Sequence, residues 1–377
     1  MTFRFIHSSD WHIAKPFRRF EPGLAGELAA ARLNAIARIG QIARDKGARH
    51  VVVAGDVFDS EIVATGEIRR ALARLAEESD VTWLLMPGNH DPARLGGVWD
   101  QVQRIGCPAN VVVLDRAVPH AIGRDAVILP APLGSKDPGR DVTAWMDTAT
   151  SEDGVARIGL AHGSVRGFGS DDVASLRIAS DRARRAGLVY LALGDWHGAQ
   201  QVCDGTWYSG TPEPDQYPDN DPGCVLSVVV DGSRLISVEK IRSAEFTWVK
   251  LERAIYAAAD LDVLERDLRS LTPALGKTLM RLTLNGHLSL TERTTLDAWR
   301  ENWSARLRSL ELDDQRLALR TDHADFASLG FSGPLLEAAE RLAAMSGDSN
   351  NPHRALAETA LLRLAGFAAE VRREGAP

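Results

Sequence analysis

Cysteine is scarce: Cys107, Cys203 and Cys224 are the only three in 377 residues. An odd number argues against a disulfide framework, and the spacings fit neither a zinc ribbon nor a redox pair, so each reads as a small buried apolar residue. Long apolar runs are also missing. No stretch reaches the roughly 18 residues that a membrane span needs, so no membrane association is expected. The chain enters a strand pattern within its first three residues, which leaves no room for a charged and then apolar signal segment, and the expected location is the cytoplasm. An excess of basic charge is absent as well: 44 Lys and Arg against 51 Asp and Glu give a net charge of −7. Affinity for nucleic acid would therefore have to come from where the cations sit rather than from their total. No Gly-x-x-x-x-Gly-Lys-Ser/Thr segment is present to cradle a nucleotide, and there are no internal repeats or long low-complexity runs. What the chain does have is 45% hydrophobic residues, ample for one large core plus a smaller domain.

It also has acid and histidine motifs in a fixed relation to apolar runs. In chain order these are Asp10-Trp11-His12, Gly55-Asp56-Val57-Phe58-Asp59, Gly88-Asn89-His90-Asp91, His162-Gly163 and Gly194-Asp195-Trp196-His197. Each is weak alone. Together they follow expected strands at residues 3–7, 51–54, 81–86, 158–161 and 188–193. Strands covered on both faces read as continuous apolar runs, and ligands of open α/β sheets bind beyond the strands' carboxyl ends, so the donors should converge on one edge. Carboxylates, imidazoles and a neutral amide are the donor mixture for two divalent cations about 3.5–4 Å apart that an anionic phosphate can still approach.

These residues resemble the calcineurin-like metallophosphoesterases, and within them the SbcD-type DNA repair exonuclease branch, over residues 1 to about 240. Ser9-Asp10-Trp11-His12, the Asp56 and Asn89 motifs and Ser209-Gly210-Thr211-Pro212 look like that branch's versions of the shared motifs. The resemblance implies that Asp10, His12 and His197 hold the first metal, that Asp56 bridges, and that Asn89 and His162 hold the second. It places His90 outside the metal shell as the group that protonates or stabilises the leaving oxygen, with Asp91 orienting its imidazole. One position departs from the pattern. The family's last motif reads Gly-His-x-His, and Asp195 stands where its first His would ligate the second metal. A carboxylate suits Mn²⁺, Fe²⁺ or Mg²⁺, so either ligation is retained with an extra negative charge or the second metal is weakened or lost.

The resemblance implies an α/β (α+β) fold: a metallophosphoesterase two-sheet sandwich flanked by helices over residues 1–243, a small α+β capping domain over 244–330 and a C-terminal helical segment over 331–377. It implies two divalent cofactor ions, with Mn²⁺ expected first, and DNA ends or single strands as substrate. It further implies an SbcC-like coiled-coil ATPase as partner and leaves room for a homodimer. A small-molecule phosphodiesterase or phosphatase, favoured by the acidic balance, and a weakly active scaffold subunit stay open.

The best local nucleic-acid candidate is Lys15-Pro16-Phe17-Arg18-Arg19-Phe20, where Lys15, Arg18 and Arg19 could take a phosphate backbone and the rings a base. A solvated loop anchored by its Phe residues is the alternative. Arg182, Arg184 and Arg185 read as the solvent face of a helix. Ile36, Ile39 and Ala43 mark an Ala-rich crossover helix ending near Gly47, and short strands broken by turns, among them four prolines in residues 210–223, should close the sandwich through Ile241. Beyond that the pattern gives strands at 246–251, 278–285 and 317–320, helices at 260–271 and 290–307, and two amphipathic helices marked by Leu335, Ala339 and Leu342, then Leu361, Leu364, Ala368 and Val371. These last either pack on the capping domain or dock on a partner.

Overall fold

The computed structural model describes residues 2–165, 177–217, 219–271, 274–320 and 323–374. Pro218, one of the four turn prolines, and the last three residues of the C-terminal segment lie outside them. The chain forms two compact units, Met1–Phe246 and Thr247–Pro377.

The first unit begins as an alternating series: β1 (Thr2–Ser8), α1 (Pro22–Asp45), β2 (His50–Ala54), α2 (Thr65–Glu77), β3 (Thr82–Met86), α3 (Val98–Ile105) and β4 (Val111–Val113). The four strands pair in parallel, as helical crossovers require. The run that becomes α1 carries its buried Leu24, Leu28, Ala31, Ala35, Ile36, Ile39 and Ala43 at helical spacing. Pro22 sits in its first turn, where a missing N–H costs nothing, and Gly47, at φ +65°, stops it.

The chain then runs through β5 (His120–Ile122), β6 (Ala126–Ala131), β7 (Ala156–His162), β8 (Ser164–Val165), β9 (Arg177–Ile178), the single-turn α4 (Arg182–Arg185), β10 (Tyr190–Gly194), β11 (Gln200–Cys203), β12 (Thr206–Tyr208), β13 (Cys224–Asp231) and β14 (Arg234–Arg242). One sheet has the order β14-β13-β1-β2-β3-β4, the other β11-β12-β10-β7-β6-β5. The antiparallel closure expected after residue 200 is thus divided: β11 and β12 extend the second sheet, while β13 and β14 extend the first. β13 is buried from Cys224 to Val230, so it takes a central place between β1 and β14.

Phe5, Val52, Leu84 and Met86 of the first sheet meet Ile128, Ile158, Leu160 and Tyr190 of the second in one inter-sheet core. His7 crosses that core. Its Nε2–H donates to the Leu193 carbonyl at 3.1 Å and its Nδ1 accepts from the Tyr190 hydroxyl at 3.0 Å. Burial holds the imidazole down at about 3, in the neutral form. The first sheet's other face packs Val51, Val53, Trp83 and Leu85 against α1, α2 and α3.

Two expectations fail on surface placement. Cys224 is buried, but Cys107 and Cys203 are exposed. Arg182 is 2% exposed rather than solvated. Its guanidinium is held by Asp141 at 2.9 Å and by Asp147, whereas Arg184 and Arg185 are exposed. A buried guanidinium needs such partners.

The second unit is built from β15 (Thr247–Ile255), α5 (Ala258–Leu271), β16 (Thr278–Ser289), α6 (Leu290–Arg306) and β17 (Ser309–Arg320), a parallel sheet in the order β15-β16-β17. Ser289 starts α6 directly off β16 through a capping box with Glu292. α7 (His323–Ser328), α8 (Pro334–Gly347) and α9 (Arg354–Glu374) follow. Ala339 and Leu361 from α8 and α9 join Leu290, Phe326 and Phe331 in a second small core. Val371, expected on the apolar stripe, is instead exposed. No described helix is long and apolar enough to cross a membrane.

Candidate metal centre

The donor motifs sit at the carboxyl ends of β1, β2, β3, β7 and β10, which belong to both sheets. The loops after β1 and β2 are zipped together: the Asp10, His12 and Ile13 amides donate to the carbonyls of Gly55, Asp56 and Val57 at 3.1, 3.0 and 2.9 Å. That zipper holds Asp10 (φ 55°), His12 (φ 44°) and Asp56 (φ 55°) in the left-handed region, and Asp195 (φ 99°) joins them from the end of β10. Such conformations cost on the order of 1–3 kcal/mol each in non-glycine residues and cluster where geometry serves a ligand. The loops leave no spare room. A Cβ at Gly88 would lie 2.2 Å from Asp56 Oδ1, and one at Gly194 would lie 2.0 Å from the Ala54 carbonyl oxygen.

Among the described residues, three sets of side chains bring donor atoms within 4.8 Å of one another: Asp10, His12 and His197; Asp10, Asp56 and His162; and His12, Asp56 and His90. Asp56 Oδ2 lies 3.8 Å from His12 Nε2 and 3.4 Å from His162 Nε2, the central position expected of a bridging carboxylate. His162 donates from Nδ1 to the Ala54 carbonyl at 2.7 Å, and its Nε2 faces Asn89 Oδ1 at 2.9 Å. His12 Nε2 and His197 Nε2 face each other at 3.2 Å. Each of these contacts needs a proton or a cation between its two atoms, and both occur where the sequence motifs place a metal. The donor set fits two divalent ions.

Asp195 stands at the edge of this group. Its Oδ1 is 3.9 Å from His162 Nε2, its Oδ2 accepts from Ser164 Oγ at 3.1 Å, and its amide donates to both Asp10 carboxylate oxygens at 3.1 and 3.2 Å. Burial pushes its carboxyl above the usual range, and a cation alongside would reverse that. Burial alone would lower the His162 imidazole, but Asp56, Asp10 and Asp195 hold it well above its ordinary value. Burial opposes ionisation of Asp56, yet His162, His12 and His90 bring that carboxyl below its usual range.

His90 lies on the exposed rim. Its Nδ1 donates to the Asp59 carbonyl at 3.0 Å, so the expectation that Asp91 orients this imidazole is corrected. Asp91 is buried and binds main chain instead, accepting from Gly88 at 2.7 Å and Phe58 at 3.0 Å. It clamps the third motif to the second, and adjacency in sequence misdirected its assignment.

In the basic loop the placement of Lys15 is corrected. Lys15 turns inward to Asp215 at 2.5 Å, and Phe17 is buried. Arg18 and Arg19 are exposed, with Arg19 over the Phe20 and Tyr217 rings. Sequence reasoning missed three residues of this neighbourhood. Asp59 Oδ1 lies 3.4 Å from His12 Nδ1, and Asp215 Oδ1 lies 3.6 Å from His197 Nδ1. Arg32, on the otherwise apolar face of α1, reaches Asp215 at 3.1 Å. An arginine within an apolar stripe was the signal, because a buried cation implies a buried partner.

Residues 3–182 match the family profile of the calcineurin-like phosphoesterases. The match spans just under half of the chain and is a likeness of that stretch to metal-dependent hydrolases of phosphoesters. No curated protein matches the chain. Among solved structures it is similar to TT1561 of Thermus thermophilus, at 10% identity over 64% of this chain and 100% of that one with a TM-score of 0.40. Purple acid phosphatase PPD1 from yellow lupin (Lupinus luteus) seeds is similar at 16% identity over 64% of this chain and 52% of that one, TM-score 0.39. GAP50, the anchor in the inner membrane complex of Plasmodium, is similar at 12% identity over 64% and 89%, TM-score 0.39.

Proposed function

We propose that the first unit is a phosphodiesterase acting on DNA ends or single strands, with Asp10, His12 and His197 holding one divalent ion, Asn89, His162 and Asp195 the other, and Asp56 both. The observation that carries the hydrolytic part is the pair of close donor contacts, His162 Nε2 with Asn89 Oδ1 at 2.9 Å and His12 Nε2 with His197 Nε2 at 3.2 Å, on either side of Asp56. When bound, the ions supply charge stabilisation for the phosphoryl group and a lowered pKa for the attacking water. The remaining steps belong to the chain. Because His90 Nδ1–H is committed to the Asp59 carbonyl, Nε2 is the atom that carries or releases the mobile proton, and from the rim it would serve the leaving oxygen. The second unit, Thr247–Pro377, would correspond to the capping domain expected over residues 244–330 together with the helices of 331–377, and Mn²⁺ is the metal we favour, since the carboxylate and amide donors are hard.

DNA as substrate, an SbcC-like coiled-coil ATPase as partner and cytoplasmic location rest on the motif resemblance. Exposed Arg18 and Arg19 beside Phe20 support the first. A small phosphodiester is the second reading, favoured by the net charge of −7 and by the withdrawal of Lys15 into its pair with Asp215. Arg18→Ala with Arg19→Ala distinguishes them. Cleavage of single-stranded oligonucleotides should weaken and lose salt dependence, while an aryl phosphodiester is hydrolysed as before. Equal loss on both substrates would remove the support for a nucleic-acid strand at this loop.

A further inference from the structure

We propose that Asp215 is a positioning residue for the first metal site: pinned by Arg32 and Lys15, it aims His197. The proposal rests on the two-metal reading above and names the part of the fold that keeps that site in register.

Asp215 is 6% exposed, on the loop that follows β12. Its Oδ2 takes Lys15 Nζ at 2.5 Å and Arg32 Nη2 at 3.1 Å. Its Oδ1 faces His197 Nδ1 at 3.6 Å, and both of those buried atoms lack a hydrogen-bond partner of their own. A shift of a few tenths of an ångström makes that bond. An N–H on Nδ1 held by a carboxylate leaves the Nε2 lone pair, the atom 3.2 Å from His12 Nε2, as the donor to a metal.

The carboxylate is itself fixed on several sides. Arg32 Nη1 donates to the Trp11 carbonyl at 2.5 Å, so one guanidinium ties the loop carrying His12 to the residue that faces His197. Two residues upstream, Glu213 accepts from Arg38 at 2.6 Å and from the Glu245 and Phe246 amides at 2.7 and 3.0 Å. Ser209 Oγ meets Ser9 Oγ at 2.8 Å. The loop is therefore held by α1 at Arg32 and Arg38 and by the first motif at Ser9, and its freedom to move away from His197 is small. Burial would oppose ionisation of Asp215, but Arg32, His197 and Lys15 hold its carboxyl far below the usual range.

The test is a calorimetric Mn²⁺ titration of the metal-free protein, with no turnover required. Carboxylate partners of metal-binding histidines are typically worth about 10–100-fold in affinity. Asp215→Asn should lose that factor at one ion and leave the other unchanged. Asp215→Asn with Arg32→Met, which removes the buried cation together with its counter-charge, should show the same loss, so a folding defect from an unpaired arginine cannot produce the result. In a His197→Ala background Asp215→Asn should cost nothing further. Wild-type affinity at both ions in Asp215→Asn, or losses that add in the double variant, would overturn the proposal while leaving the two-metal reading intact. Wild-type binding of both ions by His197→Ala would instead remove His197 from the metal set, and this proposal with it.

Discussion

His90→Gln separates metal binding from chemistry. The ring is exposed, and its hydrogen bond is the one from Nδ1 to the Asp59 carbonyl at 3.0 Å. The main-chain amide of His90 donates to Asp56 Oδ1 at 2.9 Å, and that bond does not depend on the side chain. Removing one such exposed side-chain hydrogen bond should cost about 1 kcal/mol of stability or less. The rate should respond far more. Loss of a group that serves the leaving oxygen removes roughly 10²–10⁴ in rate, which is about 2.7–5.5 kcal/mol of barrier at 1.36 kcal/mol per tenfold. The assay is single-turnover hydrolysis of an aryl phosphodiester at saturating Mn²⁺, with metal content by mass spectrometry and a melting curve on the same sample. The expected outcome is a large rate loss with two ions per chain and a nearly unchanged melting temperature. The contrary outcome is physically available, because donor atoms of His90, His12 and Asp56 lie within 4.8 Å of one another. Metal content falling in step with rate would make His90 a ligand and refute the assignment.

Asp195→Ala should weaken one ion only, and Asp195→His should make Zn²⁺ relatively more competent, because an imidazole replaces a hard oxygen donor beside His162; two ions bound as in wild type by Asp195→Ala, with metal preference unchanged in Asp195→His, would show that the carboxylate serves Ser164 alone. His7 should make the protein acid-labile. Its pKa is about 3 in the fold against 6.5 as a free side chain, so the unfolded chain takes up the proton first. The stability it confers is complete above pH 6.5 and is lost as pH falls towards 3, on the order of 5 kcal/mol over that window at about 1.4 kcal/mol per pH unit. Urea unfolding at pH 7.5 and 4.5 should show the gap between wild type and His7→Gln narrowing at the lower pH, and a constant gap would contradict the burial argument.

The five strand ends were legible because each donor motif directly follows an apolar run, a local signal that survives in sequence. Long-range pairing was not. β1 pairs with β13, Phe5 opposite Val228, and no local pattern records which sheet a late strand joins. His7 reads as one more residue of a strand until Tyr190 and Leu193 are brought to it from the other sheet. Lys15 looked like a surface cation because its partner, Asp215, lies 200 residues away. Asp91 was misread for the opposite reason: it is next to His90 in sequence, while the side chain serves the Gly88 and Phe58 amides. In the second unit β16 and β17 run to Ser289 and Arg320 through residues whose alternation is broken, so only parts of each strand were visible in the pattern.

Everything proposed for the site depends on Asp56 joining two ions into one hydrolytic centre. Counting Mn²⁺ bound per chain, alongside aryl phosphodiester hydrolysis, in wild type and Asp56→Asn tests it most directly. Wild type should bind two ions and turn over, and metal content and activity should fall together in the variant. An active Asp56→Asn protein that still binds two ions would contradict it.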